Sequence, residues 1–433
     1  MHRIRAMFAA VVARKVQFAA LGKVMSISSL NQVVSSGVNF ALGIYLVRVL
    51  TPTEFGLYGI GFAIILLYAG IGNALFLTQM VVHVPDKEEE DRLPYAARML
   101  VMLALFCLLT VLVAVLLFFI GAWLQSLHEY AELGIAVSVG SIAYLLKDFF
   151  VRHAYTARKE VWALAVNTSI AFTLIVMLLV QYWFFSGISS VTALWFYAAS
   201  NMAGAFIGFA LVRLPILDVR MCELIGDVRE AWFGGKWALG GVWVIWLQSQ
   251  AYMYITAFFL GPAGVGQANA ARLLITPALF LMPAITQVLM PRLAKLRAKQ
   301  TEKMLRISRI FTVVVVIFAV AYSAVLLGLV DVIAPILLGT HYEQIAPLVA
   351  AWCLVLIFQF SRVGSTIVLQ VIKEFRAITL VNLISATATI VLVVVLMKLF
   401  EVQGAVFGMA LGELMLSILF FRVVSKCTSE RHS

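Results

Sequence analysis

"LVRVLTPTEFGLYGIG", Leu46 to Gly61, lies between two long apolar runs and holds residues that a membrane span avoids: an arginine, a proline, a glutamate and glycines. About two hundred residues later the same punctuation returns in "FFLGPAGVGQANAARLL", Phe258 to Leu274. Leu50-Thr51-Pro52 aligns with Leu260-Gly261-Pro262, and Gly56 with Gly266. One such turn is ordinary, because proline ends the preceding helix and glycine permits a tight reversal. Two of them, at matching places, mark an internal repeat.

The rest of the chain keeps that register. Gly22-Lys23 pairs with Gly235-Lys236, Thr78-Gln79 with Thr286-Gln287, Lys159-Glu160 with Lys373-Glu374, and Asn167 with Asn382. The offsets drift only between 208 and 215. Each match alone is weak, but the ordered set points to two halves.

Composition fixes the solvent. Of the 433 residues 63% are hydrophobic and 12% charged, with a mean hydropathy of +1.02. A soluble domain is about half apolar and about a quarter charged, so this is an integral membrane protein. Runs such as "MLVMLALFCLLTVLVAVLLFFIGAWL" do not alternate, which excludes a barrel. About twelve helical spans are expected, near 24–47, 57–81, 99–122, 133–150, 161–182, 193–212, 237–260, 267–290, 309–330, 346–369, 376–397 and 404–424. The expected fold is all-α, with two six-helix bundles related by a parallel repeat. The expected boundaries are a surface-lying amphipathic segment 1–23, bundles 24–212 and 237–424, a linker 213–236 and a tail 425–433.

Charge sets the orientation. Hairpins 121–132 and 183–192 carry no Lys or Arg, whereas the alternate loops, with the two terminal segments, hold 28 of the 32 basic residues. Both termini are therefore expected in the cytoplasm. The net charge of +11 follows from that rule and implies no nucleic-acid partner. Cys107, Cys222, Cys353 and Cys427 form no close pair, and no cleavable signal peptide, metal centre or cofactor is expected. Glycine-rich phosphate loops ending in GK[ST] are absent. Tryptophans 123, 162, 183, 195, 232, 237 and 352 fall near span ends, as an interfacial belt requires.

The "LVRVLTPTEFGLYGI" hairpin after a Ser/Asn-rich first helix resembles the polysaccharide transporter branch of the multidrug/oligosaccharidyl-lipid/polysaccharide exporter superfamily, which includes O-antigen-type flippases. The resemblance covers nearly the whole chain in span count, repeat and length. Twelve spans suit this branch better than the peptidoglycan-precursor flippases, which carry extra helices. It implies V-shaped bundles, a central cavity flanked by the first, second, seventh and eighth helices, and a cationic lining for a diphosphate-linked sugar. It also implies a lipid-linked oligosaccharide as substrate and the inner membrane as location. A polymerase or assembly protein is a candidate partner, and a monomer is expected.

Candidate residues follow from the spans. In the first, Ser28, Gln32, Ser35 and Asn39 share one face, with Asn31 and Ser36 beside it. That face serves a cavity or helix packing. In the seventh, Trp243, Gln250 and Tyr254 share a face with Trp246 alongside; such rings stack on sugars and amides bond hydroxyls, or both simply pack. Arg272, with Asn269 and Thr276 on its face, and Arg362 are intramembrane arginines suited to gripping phosphate. Glu413 is the one acid read as deep in a span, either a salt-bridge partner for Arg362 or a coupling-ion site. Arg48 is read as snorkelling to the surface and Glu54 as an idle charge in a watery turn. Segment 291–309 reads as one basic surface helix. Three functions stay open: a lipid-linked oligosaccharide flippase, a cation-coupled drug exporter using Glu413, and a membrane enzyme of polysaccharide assembly. Arginines outnumber acids inside the membrane, which favours the first.

Overall fold

The structure is a computed structural model. It describes residues 27–28, 30–124, 128–185, 187–296, 300–339, 341–342 and 345–429. The expected amphipathic segment 1–23 and the end of the tail lie outside the described residues. The described chain is helical: α1 (Leu30–Val49), α2 (Pro52–Asp86), α3 (Glu89–Leu124), α4 (His128–Thr156), α5 (Glu160–Phe184), α6 (Ser190–Val212), α7 (Met221–Leu279), α8 (Leu281–Leu296), α9 (Thr301–Gly328), α10 (Val330–Leu338), α11 (Ala346–Val371) and α12 (Phe375–Ser429). Among the described residues, ten helical segments are long and apolar enough to cross a membrane. Two of them are broken. Gly261 interrupts α7 at φ 74° and ψ 175°, and Phe400 and Glu401 interrupt α12. The basic segment expected as one surface helix is instead broken at Gln300, whose φ of −145° and ψ of 57° are not helical.

The chain divides into two compact units. The first takes the described residues up to Asn39, then Tyr68–Gly187 and Leu194–Trp237; the second takes Phe40–Leu67, Ile188–Ala193 and the chain from Ala238 on. The first unit's core gathers Met80, Tyr95, Met99, Phe149 and Phe150, all buried. A π-helical turn over Asn73–Leu77 bulges α2, and the start of α7 lies against it. A Cβ on Gly235 would stand 3.0 Å from the Ala74 carbonyl oxygen. The same arm carries Glu223, Asp227 and Glu230 on one face. Arg98 Nη1 donates to Glu223 at 3.0 Å and its Nε to Asp227, while Glu230 lies 3.6 Å from His83.

The second unit explains the repeated turn. A Cβ on Gly56 would stand 1.8 Å from the Pro262 carbonyl oxygen, and one on Gly266 would stand 1.9 Å from that of Pro52. The two copies of the motif therefore pack directly on each other, each glycine lying under the other copy's proline. Glycine is required here for close approach rather than for an unusual dihedral. Glu54 is not idle. Its Oε2 accepts the Ser190 backbone N–H at 2.6 Å, so it caps α6, where a carboxylate is favoured by the helix dipole. The Thr51 hydroxyl in turn accepts the Glu54 N–H at 3.3 Å and starts α2.

The second unit's core includes Leu293, Met304, Ile367 and Phe420. The arms of α12 pack through Gly404, Gly408 and Gly412. Added Cβ atoms there would meet the Leu396 oxygen at 2.0 Å, Val393 Cα at 2.6 Å and Thr389 Oγ1 at 2.0 Å. Small residues at four-residue spacing let membrane helices approach closely.

Two helix ends far apart in the chain also share a backbone detail. Arg158 and Lys373 both adopt positive φ, 56° and 66°. At the first, Lys159 N–H donates to the Ala154 carbonyl at 2.8 Å; at the second, Glu374 N–H donates to Leu369 at 3.0 Å. This helix-ending turn is the same device twice. It registers Arg158 with Lys373, one residue away from the alignment of Lys159 with Lys373 read in the sequence.

Candidate functional site

The first unit holds a buried polar pocket of about 50 Å³, lined by residues that include Ser35, Asn39, Tyr144, Lys147, Asn167 and Asn201. Lys147 is 7% exposed. It sits about two and a half turns inside α4, because α4 runs on to Thr156. The sequence reading ended that span near residue 150 and counted Lys147 with the loop charges, so it was missed. The signal was present in "AYLLKDFFV", a Lys-Asp pair flanked by apolar residues on both sides.

The Lys147 ammonium lies 4.1 Å from the Tyr144 ring centroid, a cation–π contact. Tyr144 stacks on Tyr197 at 6.4 Å. Room for the lysine stem comes from Gly204 of α6, where a Cβ would approach Lys147 Cγ to 3.3 Å. The neighbouring Asp148 is engaged by Arg152 at 2.9 Å. Among the described residues no carboxylate comes within 4.0 Å of the Lys147 ammonium.

The polar residues of α1 divide between the two expected roles. Asn31 packs: its Nδ2 donates to Tyr155 Oη at 2.6 Å, and its Oδ1 accepts Asn167 Nδ2 at 2.8 Å. Gln32 is exposed and donates to Ser36 Oγ at 3.0 Å. Ser35 and Asn39 line the pocket with Lys147.

In the second unit Arg272 is half-buried, and its guanidinium lies 5.5 Å from the Trp352 ring. Trp352 also meets Tyr252 edge-on at 5.5 Å and donates its Nε1–H to the Ala268 carbonyl at 2.8 Å. Trp352 is 2% exposed, which corrects its reading as part of an interfacial belt. Tyr252 Oη donates to Asn269 Oδ1 at 2.9 Å, so Asn269 holds the aromatic wall beside Arg272. Among the described residues Arg272 too has no carboxylate within 4.0 Å.

Nearer the start of α7's second-unit portion, Trp246 and Tyr254 lie 5.1 Å apart, with Trp243 at 6.2 Å from Trp246. Trp246 Nε1–H donates to the Ala63 carbonyl at 3.3 Å. Gln250 Oε1 and Tyr254 Oη are buried without a hydrogen-bond partner among the described residues, and buried polar atoms left unpaired are rare. Arg362 and Glu413 do pair: Nε donates to Oε2 at 2.8 Å, and Gln359 donates to Oε1 at 3.2 Å. Glu413 is 2% exposed, and both its oxygens are occupied.

Residues 21–297, more than half of the chain, match the family described as "Polysaccharide biosynthesis protein". The chain belongs to that family. No curated protein matches it. Among solved structures, one described as lipid II flippase MurJ, in an inward closed conformation, superposes at TM-score 0.71 with 12% identity, over 93% of this chain and 87% of that one. An inward-facing multidrug resistance MATE family transporter matches at 0.67 and 16%, over 94% and 98%. A superfamily transporter from Pyrococcus furiosus, described as having a binding pocket of reverse polarity, matches at 0.58 and 16%, over 95% and 94%. This polysaccharide biosynthesis family member therefore has the fold of the multidrug/oligosaccharidyl-lipid/polysaccharide exporter superfamily, and the relatives that share it are transporters and flippases rather than enzymes.

Proposed function

We propose that the protein flips a lipid-linked, diphosphate-bearing oligosaccharide across the cytoplasmic membrane by alternating access. The observation that carries this reading is the balance of buried charge. Among the described residues, the carboxylates well inside spans, Asp148 and Glu413, are each held by an arginine. Lys147 and Arg272 have no such partner among the described residues. A cation away from water without a counter-charge is costly, and a diphosphate supplies the missing charge. Lysine offers a point charge and arginine a planar fork, both suited to phosphate oxygens. The unpaired Gln250 and Tyr254 atoms beside Trp246 suit sugar hydroxyls and a sugar face. Family membership and the likeness to a structure described as a lipid II flippase support the same cargo.

Dividing α7 and α12 at their breaks turns the ten segments into the twelve spans expected from the sequence. The basic loops then face the cytoplasm with both termini, and the Pro52 and Pro262 turns face outward. With Glu413 already bonded to Arg362 and Gln359, the chain offers an exporter of cationic drugs no free carboxylate at that position.

The test is glycan export in cells deleted for the gene and complemented with variants. Loss of surface polysaccharide with accumulation of its lipid-linked unit inside is the expected result. Arg272→Ala and Lys147→Met should each fail to restore display while reaching normal membrane levels, and Arg272→Lys should restore it in part. Normal polysaccharide in the deletion strain, or full display with both variants, would overturn the proposal.

A further inference from the structure

A second pocket lies in the second unit, beside the Pro262 turn. It has a volume of about 210 Å³ and is lined by residues that include Gln267, His341, Tyr342, Phe400, Glu401 and Gln403. Three separate stretches build it: α7 just beyond the Pro262 turn, His341 and Tyr342 with the start of α11, and the break between the arms of α12. Val402 locks the last of these against the first, since a Cβ on Gly264 would stand 3.2 Å from its Cγ2.

Two features set this pocket apart from a surface dimple. Tyr342 is 7% exposed, yet its hydroxyl has no hydrogen-bond partner among the described residues. Burial pushes the pKa of that hydroxyl well up, so it stays a donor through the alkaline range. Glu401 holds φ 51° and ψ −134°, a backbone region that is strained for any residue but glycine. Its carboxylate has no Lys or Arg within 4.0 Å among the described residues.

The lining decides the ligand class. The carboxylate disfavours an anion, and no group of three metal-ligating side chains occurs among the described residues. An apolar guest would leave the Tyr342 hydroxyl unpaired. A small organic cation would engage Glu401 and Phe400 but leave the glutamine amides and the Tyr342 hydroxyl unused. A ring with many hydroxyls uses them all: a carboxylate accepts, two glutamine amides both donate and accept, and the tyrosine hydroxyl does either. Phe400, 58% exposed, offers a face for the apolar side of the ring. A water occupies about 30 Å³ in the liquid, so the cavity matches about seven waters, the bulk of one sugar ring rather than a chain.

We propose that this pocket is a saccharide-binding subsite, which receives one sugar of the transported glycan at the outer face. The choice of a sugar from this cargo rests on the flippase reading.

The experiment uses the purified full chain in lipid nanodiscs. Its probes are oligosaccharides released by mild acid from the host's own surface polysaccharide, read by saturation-transfer NMR and titration. Saturation of sugar protons is expected, with affinity weakened about tenfold in Tyr342→Phe and lost in Glu401→Gly. Glycine relieves the backbone strain, so a Glu401→Gly protein that melts no lower than wild type separates lost binding from lost folding. Absent saturation transfer, or undiminished affinity in both pocket variants, overturns the subsite. If the deletion strain loses glycan export while no saccharide binds here, the flippase reading stands and the subsite falls. If saccharide binds with these dependences while the deletion strain exports glycan normally, the subsite stands and the flippase reading falls.

Discussion

Replacing Gly56 by alanine tests the repeat at its tightest point. The new methyl would sit 1.8 Å from the Pro262 carbonyl oxygen and 2.7 Å from its carbon. Ordinary contact begins near 3.4 Å, so the two turns must separate by roughly 1.6 Å. The opposing atoms are backbone, and no rotamer change relieves them. Overpacking of this kind costs about 3 kcal/mol. Gly266→Ala should cost the same, because its methyl would meet the Pro52 oxygen at 1.9 Å. The double variant is the informative one. Once the first methyl has parted the turns, the second enters space already opened, so the pair should cost about 3–4 kcal/mol rather than about 6, a large coupling for a double-mutant cycle. Gly37→Ala is the control: no atom lies within 4 Å of its added Cβ, and the better helix former should stabilise by about 0.5–1 kcal/mol. Thermal unfolding in detergent, read by size-exclusion of the surviving monodisperse fraction, ranks the four proteins. Additive costs at Gly56 and Gly266, or neutrality of either, would refute the reciprocal packing.

Two further outcomes follow from charge. Glu54→Gln keeps the shape of the α6 cap but removes its charge, so stability should fall by about 1 kcal/mol, and the loss should persist in an otherwise active transporter; an unchanged melting temperature would remove Glu54 from the cap. Arg362→Ala leaves Glu413 buried without its counter-charge, with only the Gln359 amide donating to it, which should cost about 3–5 kcal/mol. Arg362→Met with Glu413→Gln should recover much of that in the same melt, and failure to recover would mean that the pair is more than a structural one.

Much of this molecule was legible in the sequence, because the bilayer imposes simple rules on it. Span length and Pro/Gly turns are local properties, and they gave the helical membrane fold and the turn motif written twice. The clustering of Trp246 with Tyr254, and the pairing of Arg362 with Glu413, were also within reach. The first pair sits at helical spacing, and lone charges of opposite sign in a membrane seek each other. Three things needed the tertiary structure. Lys147 looked like a loop charge until α4 was seen to continue past it, and only Tyr144 and Gly204 on neighbouring turns and helices make its burial possible. Trp352 looked interfacial until Arg272 and Tyr252 were found against it. The Gly56–Pro262 contact joins residues about two hundred positions apart, and no sequence rule states that two copies of a turn must touch. Sequence fixes what each helix can tolerate along its own axis, whereas the partner across a helix face is set by packing, which depends on residues far away in the chain.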